Sequence, residues 1–202
     1  MKKVVVLGLC MAVATLVVPV YGSIAGSDHD FSGTGWSGGK ICEPCHTPHN
    51  AMTASAPLWN HEETTATFTL YSSNTFDATD VNQPTESKLC LSCHDGTVAL
   101  DSFGGSSGGT TLSGNALIGT DLSNMHPIGF TYDAALATAD GGLFNPTTQS
   151  SGLGGTITAE MLGGTGNLGC AACHDVHNTA NVAKLLRKTN ASSGLCMTCH
   201  DK

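Results

Sequence analysis

Cys42-Glu43-Pro44-Cys45-His46-Thr47-Pro48-His49-Asn50 is the stretch whose reading decides how this chain folds. Two thiols three residues apart, with a histidine directly after the second, have the spacing of covalent c-type haem attachment. Both sulfurs bond the macrocycle, and the histidine ligates its iron. The pattern recurs at Cys90, Cys93 and His94, at Cys170, Cys173 and His174, and at Cys196, Cys199 and His200. Without the trailing histidine, Cys-x-x-Cys would suggest a thioredoxin-like dithiol or half of a zinc site. A zinc site would need the thiolates to pair into tetrahedral sets, and the histidine at constant offset would then have no explanation. The expected cofactor is therefore four haem c groups, with His46, His94, His174 and His200 as proximal iron ligands.

The chain has 9 Cys, and the one outside these motifs is Cys10. It lies in an apolar run from Val4 to Val20 that follows Lys2 and Lys3 and gives way to Gly22, Ser23 and Ala25. That pattern predicts a signal peptide over residues 1–22, cleaved near 22–25. A spanning helix needs roughly 20 apolar residues, more than this proline-interrupted run supplies, so no membrane span is expected after its removal. Leu7-Gly8-Leu9-Cys10 is a poor lipoprotein box, because Leu9 is not small and the apolar run continues. Export is expected, and no cysteine would then remain for a disulfide. Loss of Lys2 and Lys3 takes the formal charge from −8 to −10, which excludes a nucleic-acid partner, since a polyphosphate needs a basic face.

With 25 Gly and 5% aromatic residues, the chain has few large side chains with which to fill a core. The expected fold is mostly irregular and haem-cored, with few short helices and little strand. Covalently held porphyrins would organise it much as metals organise small scaffolds, leaving the apoprotein largely unfolded. Residues 23–202 are read as a single tetrahaem domain. Its motifs repeat in the order A-B-A-B: Cys42 to Asn50 matches Cys170 to Asn178, both C-x-x-C-H-x-x-H-N, and Leu89 to Asp95 matches Leu195 to Asp201. The doubled-motif halves run roughly 29–101 and 126–202, joined by the Gly/Ser/Thr-rich stretch 104–119. This stretch and the Gly-rich 141–169 could be linkers or could wrap porphyrin faces. A turn of helix is expected at each motif, with further helices over 181–188 (Val182, Leu185 and Leu186 on one face) and 133–140, and a short strand over 67–72.

Five histidines remain for four distal positions: His29, His49, His61, His126 and His177. This supply favours bis-histidine ligation throughout and leaves Met125 and Met197 to packing. His49 and His177 follow their own proximal histidines by three residues, on the same side of that haem, so each should ligate a neighbouring haem. The spacing assigns His49 to the haem of Cys90/Cys93 and His177 to that of Cys196/Cys199. His126, before Pro127, suits the haem of Cys170/Cys173, and His29 or His61 completes that of Cys42/Cys45. Glu62 and Glu63 suit a solvated turn, which makes His61 the candidate to be left unligated.

The stretches Ser27 to Phe31, Cys42 to Asn50, Ala56 to Asn60, Lys88 to Thr97, His126 to Ile128 and Leu195 to His200 resemble the doubled-motif multihaem c-type cytochromes of metal-reducing, Geobacter-type bacteria. Within that group the likeness is to extracellular tetrahaem proteins that polymerise into conductive filaments (nanowires). The resemblance implies a continuous chain of stacked and T-shaped bis-histidine haem pairs, with one axial histidine donated by the adjacent copy. His29, close to the expected mature N-terminus, is the attractive donor, and His61 and His126 are the alternatives. The expected function is electron transfer rather than catalysis, because an enzyme needs one iron with an exchangeable sixth ligand. Its expected partners are further copies of the chain and redox proteins or extracellular acceptors. Its expected location is extracellular or at the cell surface. A monomeric periplasmic carrier is the alternative, and a multihaem nitrite or hydroxylamine reductase a more distant one.

Overall fold

Alanine-rich Ala134–Asp140 forms helix α2 because Asp133 caps it, its carboxylate accepting from Leu136 N at 2.9 Å, and Gly141 ends it at φ +68. The computed structural model describes residues 24–51, 56–84 and 86–201, and the expected signal peptide lies outside them. Helix α1, Lys88–His94, carries the second motif. Helix α3, Ile157–Glu160, is capped by the Thr156 hydroxyl, and helix α4, Cys196–Cys199, carries the fourth motif. Strands β1, Phe130–Thr131, and β2, Asn167–Leu168, pair antiparallel with Phe130 opposite Leu168. Short 3-10 turns and irregular backbone make up the rest of the described residues. Among these, no helix is long and apolar enough to cross a membrane.

Two apolar clusters hold this backbone. The larger gathers Phe130, Tyr132, Leu136, Ile157, Met161, Leu162, Leu168 and Leu195, and Phe76, Ala78 and Val81 from the first half pack against it. Tyr132 anchors it to the fourth motif, its hydroxyl donating to Phe144 O at 2.6 Å and reaching Cys199 O at 3.3 Å. The smaller cluster is Phe68, Leu91 and Leu122. Burying each of these larger side chains contributes about 1.5–3 kcal/mol. The Gly-rich stretch 141–169 is accordingly no linker. It supplies Ile157, Met161, Leu162 and Leu168 to the core. Most of 104–116, by contrast, is exposed.

Two expected elements are absent. The helix over 181–188 is a 3-10 turn, Ala183–Leu185, broken by positive φ at Asn181, Lys184 and Leu185. Its apolar residues do have helical spacing, but the backbone here pairs with that of the third motif, accepting at one residue and donating at another. Asp175 N donates to Leu185 O at 2.7 Å, and Arg187 N to Cys173 O at 2.9 Å. The strand over 67–72 is reduced to one bridge between Thr69 and Asp121, because Gln83 takes both the N–H and the carbonyl of Phe68.

Candidate haem-binding site

Each motif closes into a tight turn that holds its two cysteines and its histidine close together along the backbone. His46 N donates to Cys42 O at 2.8 Å, His174 N to Cys170 O at 3.0 Å and His200 N to Cys196 O at 3.0 Å, while α1 holds the second motif. The histidine rings are then aimed by backbone carbonyls. His46 Nδ1 donates to Pro57 O at 2.9 Å, His94 Nδ1 to Ala116 O at 2.8 Å and His174 Nδ1 to Lys184 O at 2.9 Å. A carbonyl only accepts, so Nδ1 must carry the proton and Nε2 keeps the lone pair that a metal needs.

All nine histidines lie among the described residues, and six of them face one another in pairs. His46 and His177 have ring centroids 6.2 Å apart with planes 13° from parallel. His29 and His94 stand 6.1 Å apart at 78°, and His126 and His200 stand 6.4 Å apart at 77°. A metal–imidazole bond is about 2 Å long and a ring centre lies about 1 Å from its nitrogen, so two rings on opposite sides of one ion stand about 6 Å apart. The pairs therefore fit an iron held between two histidines.

The surroundings fit a large apolar disc as well. Among the described residues, the exposed large hydrophobics are Leu58, Leu117, Met125, Val176 and Met197. Each adjoins a distal histidine, adjoins a carbonyl that aims a proximal one, or lies inside a motif, where an attached porphyrin would cover it. His29 Nδ1 is buried with no partner among the described residues, and burial, then the nearby His94, lowers its pKa. This keeps the ring neutral, the form in which imidazole binds metal.

These pairings differ from those expected from spacing. His177 faces His46 rather than His200, His126 faces His200 rather than His174, and His94 faces His29 rather than His49. The assignment by spacing treated each half as self-contained, whereas the fold crosses the halves. His49 is exposed and His174 is exposed, and no ring stands opposite either one among the described residues. His61 is buried, not on a solvated turn: it is 3% exposed, with Nδ1 2.8 Å from Glu62 O, Nε2 3.0 Å from Ala99 O, and Cys93 Sγ 3.6 Å from Nε2.

The thiols record which motifs are neighbours. Cys90 and Cys170 hydrogen-bond to each other, which pushes the Cys90 thiol up and pulls Cys170 down to about 6. Burial, then the nearby Cys45, raises Cys93 to about 12, and burial, then Cys173, raises Cys199 to about 11. First meets second, second meets third, and third meets fourth.

Residues 164–202 match the family model described as the doubled CXXCH motif. This segment is a haem-attachment unit. It contains Cys170 to His174 and Cys196 to His200, and the match supports a multihaem c-type cytochrome with covalently bound haem c. No curated protein matches the chain. The carbonyls of Pro57, Ala116 and Lys184 were not foreseen from the sequence. One signal was available for two of them: Ala-x-Leu occurs at Ala56-Pro57-Leu58 and again at Ala183-Lys184-Leu185, in each case soon after C-x-x-C-H-x-x-H-N.

Proposed function

We propose that this protein transfers electrons through four bis-histidine haem c groups and that its copies join head to tail, His49 of one completing the iron site of His174 in the next. When bound, haem supplies one-electron chemistry between ferric and ferrous iron. The chain's part is to hold each iron between two strong nitrogen ligands, which leaves no position for a substrate. His46 with His177, His94 with His29, and His200 with His126 do this within one chain.

The observation that carries the reading is what remains. Among the described residues, His174 is the proximal histidine with no ring paired against it, and His49 is an exposed histidine that no pair uses. The internal repeat supports the same match. His177 follows His174 as His49 follows His46, and His177 lies against the A-type site of the other half. A head-to-tail contact that does not close into a ring makes a filament. Such a filament suits an exported, extracellular conductor of electrons.

His49→Ala in a filament-forming preparation should leave folded tetrahaem monomers by electron microscopy, with one haem altered in its spectrum. Intact filaments would sink the exchange. The repeat's symmetry favours a second reading, in which His49 closes on His174 of its own chain and the protein is a monomeric periplasmic carrier. Native wild-type material would then be monomeric at every concentration. A high-spin ferric signal in the wild-type protein would instead favour an enzyme with an open iron.

A further inference from the structure

We infer that the in-chain histidine pairs make two electronic classes of iron site: the His46–His177 site, with parallel rings, holds ferric iron more strongly than the crossed His29–His94 and His126–His200 sites. The inference rests on the bis-histidine reading above. The planes differ by 13° in the first pair and by 78° and 77° in the other two.

Low-spin ferric iron has one hole in its set of π-type d orbitals. An imidazole donates into the one of these that stands perpendicular to its own plane. Parallel rings raise the same orbital, split the set and give the hole a high-lying place, which stabilises the ferric state. Crossed rings raise one orbital each, leave the two nearly degenerate and forgo that stabilisation. Axial ligation and the bonds around the ligands are the protein's levers on haem potential, and here they act through orientation.

The chain fixes these orientations by different means. His46 is held by its bond to Pro57 O and by Trp59, whose ring lies 6.3 Å away at 86°. His177 sits on a turn built by Asp175, whose carboxylate accepts from His177 N at 3.0 Å and Thr179 N at 2.9 Å. The same carboxylate lies 3.9 Å from His177 Nδ1, and its negative charge also favours the ferric state. On the crossed side, His126 Nδ1 is tied to its neighbour's Pro127 O at 3.0 Å. His29 packs against Phe31 at 6.1 Å. Asp175 is thus a positioning residue for the His46–His177 site.

The test is low-temperature electron paramagnetic resonance of the oxidised holoprotein during a potentiometric titration. Parallel pairs give a rhombic low-spin signal, and crossed pairs give a highly anisotropic one with a single large g value. The wild-type protein should show at least two large-g components, and a rhombic component that becomes visible at a lower potential than either. His177→Ala should delete a rhombic component and His126→Ala a large-g one, the fourth site cancelling in each difference. Fewer than two large-g components, or a large-g component with the lowest potential, overturns the inference in the wild type alone, whether or not the variants fold. Loss of a large-g component in His177→Ala also overturns it while leaving bis-histidine ligation intact. Unchanged low-spin signals in both variants would remove the ligation reading itself, and the inference with it.

Discussion

At His61 both ring nitrogens meet carbonyl oxygens, those of Glu62 and Ala99, and the ring touches the Cys93 sulfur. In the bis-histidine reading proposed above, this histidine serves the fold rather than an iron. His61→Phe should therefore destabilise the holoprotein by about 1–3 kcal/mol, through the loss of the one N–H that a neutral imidazole donates to these carbonyls, while the low-spin signals of the iron sites persist. Chemical unfolding followed at the Soret band and a resonance spectrum of the same sample check both halves of that statement. The four Cys-x-x-Cys-His motifs are legible in the sequence because their spacing is local and exact, and the family match covers the third and fourth. The pool of candidate distal histidines can be counted in the same way. The sequence could not show which histidine faces which, because ring pairing depends on how the halves cross, and spacing along the chain is blind to that. His61 was misread for a related reason: the flanking Glu62 and Glu63 describe the local polarity, not what Ala99 and Cys93 bring from 30 or more residues away.

The two A-type motifs share more than their sequence signature. Thr47 N donates to Leu58 O and Asn60 N to Cys45 O, while Asp175 N donates to Leu185 O and Arg187 N to Cys173 O. Leu58 and Leu185 both take positive φ, 56° and 55°, and so do Asn50 and Asn178, at 56° and 52°. One backbone frame is thus built twice, and it overrode the helical spacing of Val182, Leu185 and Leu186. Leu185→Gly, which relieves the left-handed strain there, should leave the His174 site intact, whereas Leu185→Pro cannot adopt that φ and should disrupt it. Comparing haem content per chain in the two variants tests this. Gly129 is more constrained. It has φ +83, and a Cβ there would lie 2.4 Å from Asn82 O, so Gly129→Ala should cost more than about 1 kcal/mol and loosen the β1–β2 pair. Asp133→Ala should cost about 0.5–2 kcal/mol by uncapping α2. Thermal unfolding measures both. On the exposed loop, bonding from Thr110, with Gly109, holds the Asp101 carboxyl below its ordinary value. A depressed carboxylate contributes stability above its unfolded pKa and loses it as pH falls through the folded one. Cleavage within 104–109 by an acid-stable protease should therefore accelerate below about pH 4, and Asp101→Asn should remove that pH dependence. The helix at 134–140 was legible because its cap and its alanines are local. β1 and β2 were not, at two residues each.

At the scale of the molecule, the protein's own apolar clusters are small for a chain of 202 residues, and the larger one is concentrated in the second half. On the haem-bound reading proposed above, the fold depends on the groups it attaches. A chain with the eight motif cysteines replaced by alanine should show no cooperative thermal transition by circular dichroism, and a sharp one would mean that the polypeptide core suffices. Low aromatic content and abundant glycine announced this economy in the sequence. The thiol contact between Cys90 and Cys170 has a consequence for biogenesis. The two cysteines that meet in the finished fold belong to different attachment motifs. A chain folded around its other attached groups while Cys90 and Cys170 were still free would, in an oxidising compartment, hold the wrong partners in register for a crosslink. Attachment at the second and third motifs before the chain closes around them would avoid that crosslink.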